Sequence, residues 1–227
     1  MKKILNDHLK QQLINTNHFN DLFSTDMSAK TQLLSVPAGG YIIENTKRPA
    51  YLFYLVRGKA KLYDAQSNGK TVLIDFFTPP CFMGEMELLD PDSDPFSMQA
   101  IEDCLLLALP INQYQNQLLS DTIFLRHICL YLAYKEARDV RTASKNQSFT
   151  LNQRLAAFIL LTEHNGTYNE KHTQVAQYLG VSYRHLLYVL ATFVDQGYLV
   201  KHGRHVYQIA NREKLMALSS EIRNEPE

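Results

Sequence analysis

One change of rhythm constrains this chain more than any other feature. Near Ile111 the spacing of apolar residues switches from strand-like to helix-like. Between Leu33 and Leu109, short runs rich in Val, Ile, Tyr and Phe alternate with turn residues. The runs are YIIEN, YLFYLVRG, KAKLYDA, TVLIDFF, FSMQAIED and CLLLALP. Between them stand Pro37-Ala38-Gly39-Gly40, Gly58, Ser67-Asn68-Gly69, Pro79-Pro80 and Asp90-Pro91. Strands so spaced predict an antiparallel sandwich or barrel. Asn68-Gly69 predicts a hairpin turn, because both residues accept positive φ. Residues 1–30, in front of the strands, read as polar helix.

Beyond Ile111 the pattern predicts a short helix over Asn112–Leu119 and a long one over Asp121–Ser144, with Asp121 capping the second. Phe124, Leu125, Ile128, Tyr131 and Leu132 recur along it at steps of three and four. Such a stripe suits the chain's own sandwich or the same helix of a second subunit. The helix's length and its place between two domains favour the second. That makes Phe124, Leu125, Ile128 and Leu132 the expected dimer interface, although the heptads are too few for a coiled coil. Ser144 to Ser148 then reads as a polar hinge. LNQRLAAFILLTEH is a further amphipathic helix, ended by Asn165-Gly166.

The stretch VAQYLGVSYRHLLYVL carries Gly180 between two amphipathic runs. Two short helices that cross through a tight turn need one residue with positive φ, and glycine supplies it without steric cost. Ala176 is small enough for the crossing. Val175, Leu179, Val181, Leu186, Val189 and Leu190 form an inner face, and Ser182 is placed to cap the second helix. This is a helix-turn-helix pattern. Tyr183, Arg184, His185, Leu187 and Tyr188 are not needed inside, and they lie near the end of the second helix that enters a major groove. Arg184 can bond guanine O6 and N7 together. Tyr183 and Tyr188 can meet a phosphate or a thymine methyl, and Thr173 and Ser182 can touch phosphates. YLVKHGRHVYQIA reads as two strands around a basic turn, a wing bearing Lys201, His202, Arg204 and His205. NREKLMALSSEI reads as a last helix.

Charge permits this without requiring it. The chain has 23 basic and 23 acidic residues, a net charge of zero. Between 146 and 219, however, seven lysines and arginines face four acids, with five histidines besides. That excess is modest and compatible with DNA. Cys81, Cys104 and Cys129 are too scattered for a disulfide framework, zinc or an iron–sulfur cluster, and predict a reducing cytosol. Each suits a small buried position. Cys81, in PPCFMGE, also suits a loop thiol open to oxidants. No apolar run reaches the roughly 18 residues of a bilayer span, and the N-terminus reads as amphipathic helix and not as a signal peptide.

FFTPPCFMGEMELL, with its Gly84-Glu85, and HTQVAQYLGVSYRHLLYVLATFVDQGYLV together resemble the CRP/FNR family of bacterial transcription regulators. The resemblance runs along essentially the whole chain. It implies an α+β fold with a β jelly-roll sensor domain over 1–115, N-terminal helices included. A dimerisation helix and hinge follow over 116–146, and a winged helix-turn-helix over 147–227. It also implies a homodimer on double-stranded DNA, a two-fold operator with half-sites one turn apart, and contact with RNA polymerase. Gly84 and Glu85 become candidates for a ligand pocket. The departures are equally informative. Members that bind cyclic nucleotides follow Gly-Glu with an arginine for the phosphate. Here that stretch reads Asp92-Ser93-Asp94-Pro95-Phe96, and no arginine lies between Glu85 and Arg126. Cyclic AMP is therefore not expected, and Gly84 and Glu85 revert to a turn and a carboxylate bonding backbone N–H groups. The clustered N-terminal cysteines of the FNR branch are absent, and so is the sensor-domain histidine of the haem branch. No cofactor is required; a small effector of unknown kind is left open. Arg184 and Tyr188 replace the family's usual glutamate and arginine on the reading face.

Two other classes compete. A jelly-roll enzyme needs histidines and a carboxylate around a metal, and there is no histidine between Phe19 and Arg126; no catalytic residue and no metal site is expected. A ligand-binding regulatory protein acting only through protein contacts is the alternative to the DNA-binding regulator.

Overall fold

A computed structural model describes residues 1–65 and 71–224. The chain forms two compact units, Met1–Tyr134 and Lys135–Glu227. The strands of the first unit are β1 (Lys2–Lys3), β2 (Gln32–Val36), β3 (Tyr41–Ile43), β4 (Tyr51–Arg57), β5 (Ala60–Ala65), β6 (Thr71–Phe77), β7 (Cys81–Met83), β8 (Ser97–Ala100) and β9 (Cys104–Pro110). All pairings are antiparallel, in a five-stranded sheet ordered β1-β2-β9-β4-β7 and a four-stranded sheet ordered β3-β8-β5-β6. The expected Asn68-Gly69 turn lies outside the described residues.

The five-stranded sheet is apolar on both faces, which explains why YLFYLVR and CLLLALP are nearly continuous apolar runs and not alternating ones. Phe53 and Leu55 of β4, with Leu106 and Ala108 of β9, point into the sandwich beside Leu62, Phe77, Met83 and Met98. Leu52 and Tyr54, with Leu107 and Leu109, point the other way and need a second cover. Helices provide it: α1 (Asp7–Thr16), α2 (Glu85–Leu89), α3 (Ile111–Ser120) and α4 (Thr122–Ser148), through Ile14, Leu88, Leu118, Phe124 and Ile128. The N-terminal 30 residues are less helical than expected: β1 pairs with β2, and only Asp7–Thr16 is α-helix.

This second core takes up two of the four side chains expected at a dimer face. Phe124 and Ile128 are fully buried within their own unit, and Leu125 and Leu132 are packed against the same cluster. The sheet's outer apolar face encloses Phe124 and Ile128, while Leu125 and Leu132 are only partly buried. The side chains of α4 that remain exposed are others, among them Ile123, Cys129, Leu130 and Tyr134. The Asp121 cap is present: its carboxylate accepts from the backbone N–H of Ile123 at 3.0 Å and Phe124 at 3.1 Å. Its other oxygen accepts from Ser24 N and Oγ at 2.7 and 2.8 Å. These hydrogen bonds hold the carboxyl below the usual range against the opposing effect of burial. The expected hinge over 144–148 is instead the last turn of α4, which runs to Ser148.

In the second unit, α5 is Leu151–Thr162, α6 His172–Tyr178, α7 Tyr183–Asp195, α8 Arg212–Leu218 and α9 Ser220–Asn224. Thr150 caps α5 in a full capping box with Gln153. Three short antiparallel strands, β10 (Thr167–Tyr168), β11 (Leu199–Lys201) and β12 (Tyr207–Ile209), form a sheet ordered β10-β12-β11.

Candidate nucleic-acid interface

The turn between α6 and α7 is built by backbone bonds that only a left-handed residue allows. Gly180 has φ 64° and donates to Gln177 O at 3.0 Å, while Val181 donates to Ala176 O at 2.9 Å. This pair of bonds is the Schellman helix ending, which favours a left-handed glycine just past the helix. A Cβ on Gly180 would meet nothing within 4 Å, so its backbone angle and not crowding demands glycine. Ser182 then opens α7, its hydroxyl accepting from His185 N at 3.2 Å. Inside, Val175, Ala176, Leu179, Leu186, Val189, Leu190 and Phe193 are buried.

The opposite face of α7 is spent on nothing within the chain's core. Tyr183 is 40% exposed, Leu187 36% and Tyr188 71%, and Arg184 and His185 are also exposed. Residues 184 and 188, like 183 and 187, lie one turn apart on that face. Thr173 stands exposed near the start of α6. The wing joins β11 to β12, closed by His202 N donating to Val206 O at 2.9 Å, with Lys201 and Arg204 exposed along it. The unit therefore gathers the eight residues expected at DNA (Thr173, Ser182, Tyr183, Arg184, His185, Tyr188, Lys201, Arg204) on the solvent side of two helices and a hairpin.

Two features escaped the sequence. Arg154, counted there among the basic residues, is half-buried and structural. Its Nε donates to Phe149 O at 3.1 Å and a terminal nitrogen donates to Leu179 O, so it clamps the helix-turn-helix to the start of α5. Burial lowers its pKa. Beneath the wing, Tyr168, His172, His205 and Tyr207 form a ring cluster, with His172 and His205 edge-to-face at 4.5 Å. Among the described residues, Tyr168 Oη, His172 Nε2 and His205 Nδ1 find no hydrogen-bond partner. Burial, followed by the neighbouring His205 and Lys201, pushes the His172 pKa down to about 4. Burial also raises the phenol of Tyr168.

In the sensor unit, Gly84 has φ 85° and its added Cβ would come within 3.0 Å of Tyr51 O. It opens α2, and the Glu85 side chain that follows is buried. The loop at Asp92 and Asp94 is exposed, and Arg48 reaches Asp92 at 3.8 Å. Cys81 is not on a loop: it lies in β7, paired with Leu55 and buried in the sandwich. Cys104 is buried as well, and burial pushes its thiol up to about 11. Cys129 is exposed. Among the described residues no group of three or more His, Cys, Asp or Glu could hold a metal ion, and no helix is long and apolar enough to cross a membrane.

A two-sheet β unit followed by a winged helix-turn-helix defines a class of transcription regulator, and comparison with known proteins agrees. Residues 33–121 match the cyclic nucleotide-binding domain and residues 153–218 the Crp-like helix-turn-helix domain. The chain belongs to the CRP/FNR family of transcription regulators, a family of DNA-binding proteins and not of enzymes. It is 52% identical over 204 residues to the regulatory protein YeiL of Escherichia coli O157:H7, covering 90% of this chain and 93% of that one. Among solved structures it is similar to a CRP/FNR regulator from Eubacterium rectale (TM-score 0.66, 17% identity, 95% of each chain covered). It is also similar to a CRP/FNR regulator from Thermus thermophilus (TM-score 0.60, 20% identity, 83% of this chain and 98% of that one).

Proposed function

We propose that this regulator works as a homodimer on a two-fold operator, each α7 entering a major groove, with no need for cyclic AMP. The observation that carries the reading is the outward face of α7, where Arg184, Tyr183 and Tyr188 are exposed while the inward face completes the core. Arg184 contacts a guanine edge, Thr173 and Ser182 anchor phosphates beside it, and Lys201 and Arg204 of the wing lie along the backbone. The exposed side of α4, with Ile123, Leu130 and Tyr134, pairs with its copy. RNA polymerase is the further partner that the family implies. The sensor unit biases the reading heads only if its two states differ in affinity for something bound. A cyclic phosphate is not the expected ligand, because the stretch after Gly84-Glu85 carries Asp92 and Asp94 and no arginine before Arg126. Gly84 and Glu85 serve to shape the turn into α2, and no cofactor is needed to complete the fold.

Selection of bound sequences from random duplex DNA tests the reading, with no nucleotide added. The expected product is a two-fold symmetric site whose binding weakens steeply with salt, as counterion release requires. Recovery of no site, or of sites only when cyclic AMP is present, overturns it.

A further inference from the structure

The outward face of α7 carries no carboxylate and no carboxamide. From Ser182 to Val194 there is no Asp, Glu, Asn or Gln. Accepting from cytosine N4 calls for a carboxylate, and bidentate reading of adenine calls for a carboxamide. Arg184 is the one side chain there with a planar two-pronged donor, which suits guanine. Besides Arg184 and His185, the face presents much apolar surface. Leu187 and Tyr188 stand one turn beyond Tyr183 and Arg184, and Ala191 is small and exposed one turn further on. None of these is held there by the core, which Leu186, Val189, Leu190 and Phe193 complete on the other side. An exposed leucine on a groove-facing surface gains free energy only against an apolar partner, and the thymine C5 methyl is the apolar group that unmodified DNA presents in the major groove.

We infer that the operator half-site combines one guanine, read by Arg184, with neighbouring thymines whose methyl groups are read by Leu187 and Tyr188. This rests on the proposed entry of α7 into the major groove. Three to four residues of helix advance about 5–6 Å, roughly two base-pair steps at about 3.4 Å each. The thymines therefore lie within two or three base pairs of the guanine.

The test replaces thymine by uracil, one position at a time, in the half-site recovered from random duplex DNA. Uracil removes the methyl and leaves every hydrogen-bonding group in place. At the thymines beside the guanine, affinity of the unaltered protein should fall about fourfold per methyl, the transfer value of one buried carbon. Leu187→Ala should abolish the thymine–uracil difference at one of these positions and leave guanine discrimination intact. Equal affinity for uracil and thymine at every position, with guanine still required, overturns this inference and leaves the groove reading standing. Failure to recover any site overturns both.

Discussion

Helices α4 and α7 each carry an apolar and a polar face, and they use them in different ways. The stripe of α4 that looks most like a subunit contact is buried against the outer face of its own sheet, with Phe124 and Ile128 fully enclosed. In α7 the apolar face does what it promises, and the remaining face is left for a partner. The difference teaches that periodicity identifies a buried face without saying what buries it. A stripe of Phe, Ile and Leu is equally satisfied by an intramolecular or an intermolecular apolar surface. An exposed row of Arg, Tyr and Leu is a sharper signal, because a monomer has no use for it.

The largest difference between the two helices should show at Ile128. Ile128→Asp buries an unpaired carboxylate and should cost about 4 kcal/mol or more, unfolding the sensor unit in thermal melts. Leu130→Asp, on the exposed side, should keep the unit folded, lower the melt only by the modest amount that losing a partner costs, and halve the sedimentation mass. A well-folded monomer from Ile128→Asp would return the stripe to the dimer interface.

Next in size is an effect of pH on the second unit. The His172 ring takes a proton only near pH 4 when folded, against 6.5 when free. Between those values the unfolded chain binds more protons, so stability falls as pH falls from about 6.5 and levels off below about 4. The total is on the order of 3 kcal/mol. Denaturant titrations at stepped pH should show the loss, and His172→Phe should flatten it.

Arg184→Ala should cost about 1–3 kcal/mol at one base pair per half-site, with other positions unchanged in competition gel shifts. Uniform weakening on all sequences would make Arg184 a phosphate contact. The smallest effect belongs to Thr150, whose hydroxyl caps α5. Thr150→Ala should lower the stability of the second unit by about 1 kcal/mol, measured in the same titrations.

What could be read in advance follows a physical line. Gly180, Ser182 and Asp121 were legible because a positive φ or an orphaned N–H admits few residue types. The sandwich was legible from its turns. The cover over α4 was not, although a clue was present: β4 and β9 are apolar at consecutive positions, and a sheet buried on both faces needs helices outside it. Cys81 was misplaced because Pro79-Pro80 reads as a loop while the next residue already begins β7. The His172–His205 contact and the Arg154 clamp join residues more than 20 apart. Such pairings arise from tertiary placement and leave no local pattern.

Guanine N7 methylation interference shows whether α7 reads base edges in duplicate. On the selected operator the protein should be blocked at two symmetric guanines, about 10 base pairs apart, and Arg184→Ala should lose interference at those two alone. A single unpaired position, or a pattern indifferent to Arg184, would contradict the account.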